Sequence, residues 1–260
     1  MTGAATLSDI PVSRHDISPE ITAYFTSRGD VTDSPYSGFN ICHYTGDDPD
    51  RVARCRESLS RYVGVSPGML IVPRQTHSVN CQVIDSVPVS AESLEGVDAL
   101  VTPLPGVAIG VSTADCVPVL LADPAAGIIG AAHAGWRGAI GGVVEVAVNA
   151  MVSLGAMPGC IKALMGPCIC KDCFEVGDEV ASLFPEEYVV RVEGCKPHVD
   201  LLEYVASRLV ACGIPCKAVT MPPACTRCNP DHYFSARRLG VNSGRNFSMI
   251  CRTVDKLSRN

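Results

Sequence analysis

The chain has 260 residues, a formal charge of −6 and no block of basic residues, which excludes a surface built for nucleic acid. Hydrophobic residues make up 47% and charged residues 18%, enough apolar material for a sizeable core and too little charge for a disordered polymer. No run of about 18 apolar residues occurs, so no membrane span is expected. The opening MTGAATLSDIPVSRHD lacks the basic-then-apolar order of a secretory leader, and a cytoplasmic protein with reduced thiols, some on metal, is expected from its 14 cysteines.

In chain order, Ile21–Thr26 reads as the first strand, and residues 28–45, rich in Gly, Ser, Asp, Asn and Pro, as a long loop of the functional kind. Asp47, Asp48 and Pro49 open a helix whose apolar face is Val52, Cys55, Leu59, Tyr62 and Val63, with Gly64 as its stop. Short strands follow at Met69–Val72, running into Arg74-Gln75-Thr76-His77, at Val79–Ile84, at Leu100–Thr102 and at Val107–Val111. After Gly138, Ile140, Val143, Val144, Ala147, Val148, Met151 and Leu154 fall at helical spacing, predicting the longest helix, closed by Gly155. It leads to a strand at Ile161–Met165, a crossover unit. Helices are expected at Val176–Phe184, stopped by Pro185, and at Asp200–Cys212, capped by Asp200. The last strands are Lys217–Met221 and Phe247–Cys251. No repeat or linker divides the chain, so one domain over residues 1–260 is expected, with its core at about 21–251.

The chemistry gathers in Val107–Gly138. Two apolar runs, Val117–Ala122 and Ile128–Ala132, flank the turn Asp123-Pro124-Ala125-Ala126-Gly127. Thr113, Asp115 and Cys116 precede the first run; His133, Trp136 and Arg137 follow the second. If the runs are antiparallel neighbours, Cys116 and His133 share one edge of a sheet. Buried polar groups need partners, so this reads as the floor of an active site. With His77, the pair offers two imidazoles and a thiol, a donor set suited to zinc with an open fourth position. The same residues also suit Cys116 as a nucleophile with a histidine base, and spacing does not separate the two. Taken singly, each residue has a plainer reading: a surface histidine, a small buried hydrophobe, a satisfied core histidine. Asp115 is a candidate acid or base, or a group that only orients its neighbours.

Near the C-terminus, Phe234-Ser235-Ala236-Arg237-Arg238 and Gly244-Arg245 gather guanidiniums, which suit phosphate or carboxylate or simply a solvated loop. Cys168, Cys170 and Cys173 form CxCxxC, and Cys225 and Cys228 form CxxC, with Cys195, Cys212 and Cys216 nearby in sequence. Read as spacings these do not make a clean pair of metal knuckles, and a structural metal is the minority reading.

The blocks STADCVPV, AAHAGWRG, RQTH, GPCI with FEVG, and FSARR with GR resemble the YfiH/YlmD-like family, from about Ile21 to Cys251. That family was long labelled polyphenol oxidase or multicopper laccase and is now described as zinc-containing purine nucleoside phosphorylases. The resemblance implies a single α/β domain, a mixed β-core flanked by helices. It implies zinc on His77, Cys116 and His133, with copper able to replace it. Implied activities are phosphorolysis of adenosine, inosine, guanosine and methylthioadenosine, and deamination of adenosine. The implied partners are then a purine nucleoside and phosphate. Arg237, Arg238 and Arg245 are the phosphate candidates. Arg74 and Gln75 of RQTH, and Asn40 of the entrance loop, are further binding candidates. Two blocks depart from the pattern: the family's RxGGVS reads Arg28-Gly29-Asp30-Val31-Thr32, and its GPAIG reads GPCIC. A copper oxidase of phenols would need several copper sites, whereas the chain has six histidines, with His15 and His43 expected in loops. A non-catalytic partner of cell-wall or division proteins would not need the intact trio.

Overall fold

The computed structural model describes residues 10–222 and 224–253; the reading of the first nine residues as leader-free lies outside them. Two large sheets stack face to face. One joins β1 (Val12–Asp16), β2 (Ile21–Thr26), β3 (Leu70–Ile71), β6 (Ala108–Thr113) and β13 (Asn246–Arg252) in the order β1-β2-β13-β6-β3. The other joins β4 (Cys81–Val83), β5 (Ala99–Thr102), β7 (Val117–Asp123), β8 (Ile128–Ala134), β9 (Lys162–Met165) and β12 (Val219–Thr220) in the order β12-β9-β7-β8-β5-β4. A small ribbon pairs β10 (Val189–Val190) with β11 (His198–Val199).

Every residue of β7 and β8 is buried. Alternation still operates inside these apolar runs, because side chains of a strand point to opposite faces in turn. Leu120, Ala122, Ile129 and Ala131 meet Ile21, Ile109 and Ile250 of the other sheet. Val117, Val119, Leu121, Ala132 and Ala134 face outward onto α3 (Val143–Ser153) and α5 (Leu201–Ala211). On the far side α1 (Pro49–Val63) lays Leu59 against Tyr24, Leu70, Phe247 and Met249. The result is helix, sheet, sheet, helix, which explains why the central strands read as unbroken hydrophobic runs. Each fully buried Leu or Ile there contributes roughly 1.5–3 kcal/mol of transfer free energy.

Several expectations hold. β2 has the expected bounds, α1 is capped by the Asp48 side chain accepting from Arg51 N, and Gly64 closes it at φ 81°. α5 is capped by Asp200. β7 and β8 are antiparallel neighbours, with Pro118 opposite His133. β8 and β9 both run antiparallel to β7, so the connection through α3 is the expected crossover, with one strand between.

Other expectations need correction. The helix after Gly138 is two helices, α2 (Trp136–Gly141) and α3, because Gly142 adopts φ 91°. Left-handed backbone cannot continue a right-handed helix, and glycine enters it without penalty. The longest helix is therefore α1, with 15 residues. The segment 176–184 holds only the four-residue α4 (Asp178–Ala181), and 217–221 only the two-residue β12. β1, β10 and β11 were not expected, and His15 lies on β1 and not in a loop. No described helix is long and apolar enough to cross a membrane.

Candidate active site

The ends of β6, β7 and β8 converge where the two sheets meet. Cys116 stands one residue before β7 and His133 near the end of β8, so antiparallel pairing brings them to one edge. His77 arrives from the loop after β3, at φ 63°, and Asp115 sits at φ 88°. Non-glycine residues pay for left-handed backbone, and two such residues at one place mark a position held by its surroundings. The His77 Nε2–Cys116 Sγ distance is 3.8 Å, and the two imidazole rings lie 4.9 Å apart, centre to centre. The donor atoms of His77, Cys116 and His133 all fall within 4.8 Å of one another.

His133 is buried and held by Asp98, whose Oδ1 lies 2.7 Å from Nδ1. That contact leaves Nε2 as the free ring nitrogen. Asp98 also accepts from the backbone N–H groups of Thr76, His77 and Ser78, so one carboxylate fixes two of the three donors. Burial opposes ionisation of Asp98, but His133 and these N–H groups outweigh it and hold the carboxyl below its usual range. For Cys116 burial again opposes charge, yet His133 and His77 bring the thiol down to about 6. Burial would depress His133, but Cys116 and Asp98 outweigh it and lift the imidazole to about 9. A Cβ on Gly135 would lie 2.7 Å from His77 Cδ2 and 3.0 Å from Cys116 Sγ, so only glycine leaves this cradle open. Two ring nitrogens and a thiol around a space that a methyl group would fill can hold a metal ion.

Above the trio is a cavity of about 410 Å³, within the range of small-molecule sites. Asp115, Gln75, Arg237 and Arg245 line it together with the trio. Tyr44, Trp136, Ile169, Phe174, Leu201 and Val241 give it apolar walls. Asp115 is buried; Oδ1 accepts from Thr226 Oγ1 at 2.7 Å and Oδ2 from Arg237 N at 2.7 Å. Each oxygen keeps a further lone pair. Arg237 also donates to Glu175 O and lies over the Phe174 ring. Arg245 is fixed by carbonyls of Val241, Ser243 and Gly244. Gln75 pairs with both the N–H and the carbonyl of Ser112. Ser112 Oγ has no partner among the described residues.

Three candidates lie elsewhere. Arg74 is exposed and pairs with Glu95, and Arg238 is exposed; neither lines the cavity. Asn40 is fully buried behind the wall, bonded to Asp47 and accepting from Arg245 N. Sequence reasoning missed Asp98, Tyr44, Ile169 and Phe174. For Asp98 a signal existed: a carboxylate directly before the wholly apolar Ala99-Leu100-Val101 needs partners. The others come from loops and carry no such mark.

Fold and site together define a mixed α/β protein with a nitrogen–sulfur–nitrogen metal-capable centre at the floor of a pocket. The chain belongs to the YfiH family, described as multi-copper polyphenol oxidoreductase laccase, which matches residues 22–253. It is 46% identical over 246 residues to adenosine deaminase RL5 of an unknown prokaryotic organism, covering 89% of this chain and 94% of the relative. It is 38% identical over 239 residues to a purine nucleoside phosphorylase of Bacteroides thetaiotaomicron, covering 86% and 88%. Hypothetical protein YfiH of Bacillus licheniformis shares the fold, with a TM-score of 0.84 at 24% identity, covering 92% of this chain and 99% of that one.

Proposed function

We propose that the chain is a zinc-dependent purine nucleoside phosphorylase acting on adenosine, inosine, guanosine and methylthioadenosine, and that it also deaminates adenosine. The observation that carries the reading is the His77, Cys116, His133 centre under a cavity that two arginines and several flat apolar side chains line. The names of the two curated relatives support both activities. His77, Cys116 and His133 are the proposed metal ligands. Bound there, zinc supplies Lewis acidity beside the substrate.

The remaining roles fall to the chain itself. Phe174 and Trp136 line the cavity and are the proposed aromatic contacts of the purine. Arg237 and Arg245 keep donors beyond their carbonyl bonds and are the proposed phosphate holders. In phosphorolysis a phosphate oxygen bonds to the anomeric carbon as the bond to the purine nitrogen breaks, and the bonding pair leaves with the base. The sugar passes through an oxocarbenium-like state, as in glycoside cleavage. In deamination a water oxygen bonds to the purine carbon that carries the amino group, the C–N bond breaks and ammonia leaves; Asp115 is the proposed carrier of the proton from water to the departing nitrogen. Copper at the same three donors is chemically easy. Multicopper oxidation of phenols, which the family description names, finds little support in six histidines, of which His15 and His43 are exposed.

A second reading has one observation in its favour. Cys116 has the His133 ring within 4.8 Å and Asp98 bonded behind that ring, which is the logic of a thiol nucleophile with an oriented base. Adenosine assays separate the readings. Zinc-loaded protein should release adenine and ribose 1-phosphate only when phosphate is supplied, and form inosine without it. Arg245→Ala should raise the phosphate requirement by at least about tenfold and spare deamination. Base release that ignores phosphate, or activity unchanged after complete metal removal, would overturn the proposal.

A further inference from the structure

Four cysteines outside the pocket come together without being used by the chemistry above. Cys170 and Cys173 lie in the loop after β9, Cys225 and Cys228 in the loop after β12. Their sulfurs all fall within 4.8 Å of one another, and Cys173 Sγ and Cys228 Sγ are 3.4 Å apart. All four thiols are free. The fold thus selects two CxxC pairs from a sequence that did not display them cleanly. Cys168, the extra member of CxCxxC, is turned into the core beside Ile169 and Phe174.

We propose that Cys170, Cys173, Cys225 and Cys228 form a closed tetrathiolate site for one zinc ion, separate from the His77, Cys116, His133 centre. Tetrahedral zinc with sulfur at about 2.3 Å spaces its ligands about 3.8 Å apart. The observed spacings, from 3.4 Å between Cys173 and Cys228 to no more than 4.8 Å for any pair, bracket that value. A [4Fe–4S] cluster would hold its cysteines farther apart, because each would ligate a different iron, and a [2Fe–2S] cluster would split them into two pairs on two irons. Supporting groups for the charge are already present. Cys170 N–H donates to Cys225 Sγ at 3.3 Å, and Arg227 Nη1 lies 3.5 Å from Cys173 Sγ. Such contacts offset the negative charge that four thiolates bring to one dication. With four protein ligands no position is open, so the role is structural.

What it would fasten is the roof of the pocket. Cys168 and Cys225 form a backbone bridge, and Thr226 N–H donates to Cys168 O. Thr226 then reaches Asp115 Oδ1, and Ile169 N–H reaches Asp115 O. An ion joining the two loops would lock the strip that carries Ile169 and Phe174 to the strip that positions Asp115.

The test is metal content of the purified full chain, prepared without oxygen. One zinc should survive Cys116→Ser and disappear in the Cys173→Ser/Cys228→Ser double variant. Exchange of cobalt into the wild type and into Cys116→Ser reads the site even if the double variant fails to fold. A tetrathiolate gives intense sulfur-to-cobalt charge transfer and strong red d–d bands that persist in Cys116→Ser. A single zinc lost with Cys116→Ser would overturn the proposal. So would iron in place of zinc, or a Cys173–Cys228 disulfide found as a two-hydrogen mass loss under non-reducing denaturation.

Discussion

The floor and the roof of the pocket are built on different principles. The floor comes from paired, fully buried strands, where Cys116 and His133 are fixed by the register of β7 against β8 and by Asp98. The roof comes mostly from loops: Tyr44 from the first long loop, Ile169 and Phe174 from the loop after β9, and Arg245 from the C-terminal segment, with Arg237 on the one-turn helix Ala236–Leu239. Its order depends on single contacts such as Thr226 to Asp115 and Arg237 to Asp115. A metal centre demands donor positions good to a fraction of an ångström, which packed strands supply. A substrate pocket needs walls that vary, which loops supply.

The comparison can be broken most forcefully beneath the floor. Val144 is fully buried against the outer face of the six-stranded sheet. Val144→Asp places an unpaired charge there and should cost about 3–5 kcal/mol, read as a fall in denaturation midpoint. A midpoint equal to wild type would mean that α3 does not bear on the sheet.

Next comes the centre itself. Cys116→Ala removes one donor of three, and loss of more than about 100-fold in metal affinity at that site is expected. Retention of tight binding there would take Cys116 out of the ligand set. Asp98→Asn keeps the shape but sets an amide N–H₂ against backbone donors or the His133 ring. Metal affinity or activity should fall by about 10–100-fold, roughly 1.4–2.7 kcal/mol. Titration of metal into each variant by calorimetry checks both.

The smallest effect belongs to the roof. Thr226→Val deletes one hydrogen bond to Asp115 and should cost about 1 kcal/mol. If the roof is the adaptable part, KM for adenosine should rise while metal content stays at wild type. Loss of metal from the His77, Cys116, His133 centre in this variant would show floor and roof to be one unit.

The same division decides what could be read from the chain. β7 and β8 announce themselves because both faces are covered, and a turn at Asp123–Gly127 separates them. Their antiparallel pairing then places Cys116 beside His133. The break at Gly142 was hidden, since the apolar stripe from Ile140 to Leu154 runs across it without losing helical spacing. β1 was hidden because Val12–Asp16 is mostly exposed and polar. Asp98 has no motif of its own; its importance lies in contacts made to residues 20 to 35 positions away. For the arginines, charge density was visible but direction was not, so Arg238 and Arg74 could not be told from Arg237 and Arg245.

The seat of β13 sets a timetable for synthesis. This strand lies between β2 and β6, pairing with Tyr24 on one side and Gly110 on the other through Met249. It is the last strand of the described chain to leave the ribosome. Until Asn246–Arg252 emerges, β2 and β6 each present a bare backbone edge, and Ile109 and Val111 wait beside an unfinished sheet. Bare edges recruit other chains. Nascent chains halted before Asn246 should therefore aggregate or require a chaperone, although every residue of the metal-capable trio has already been made.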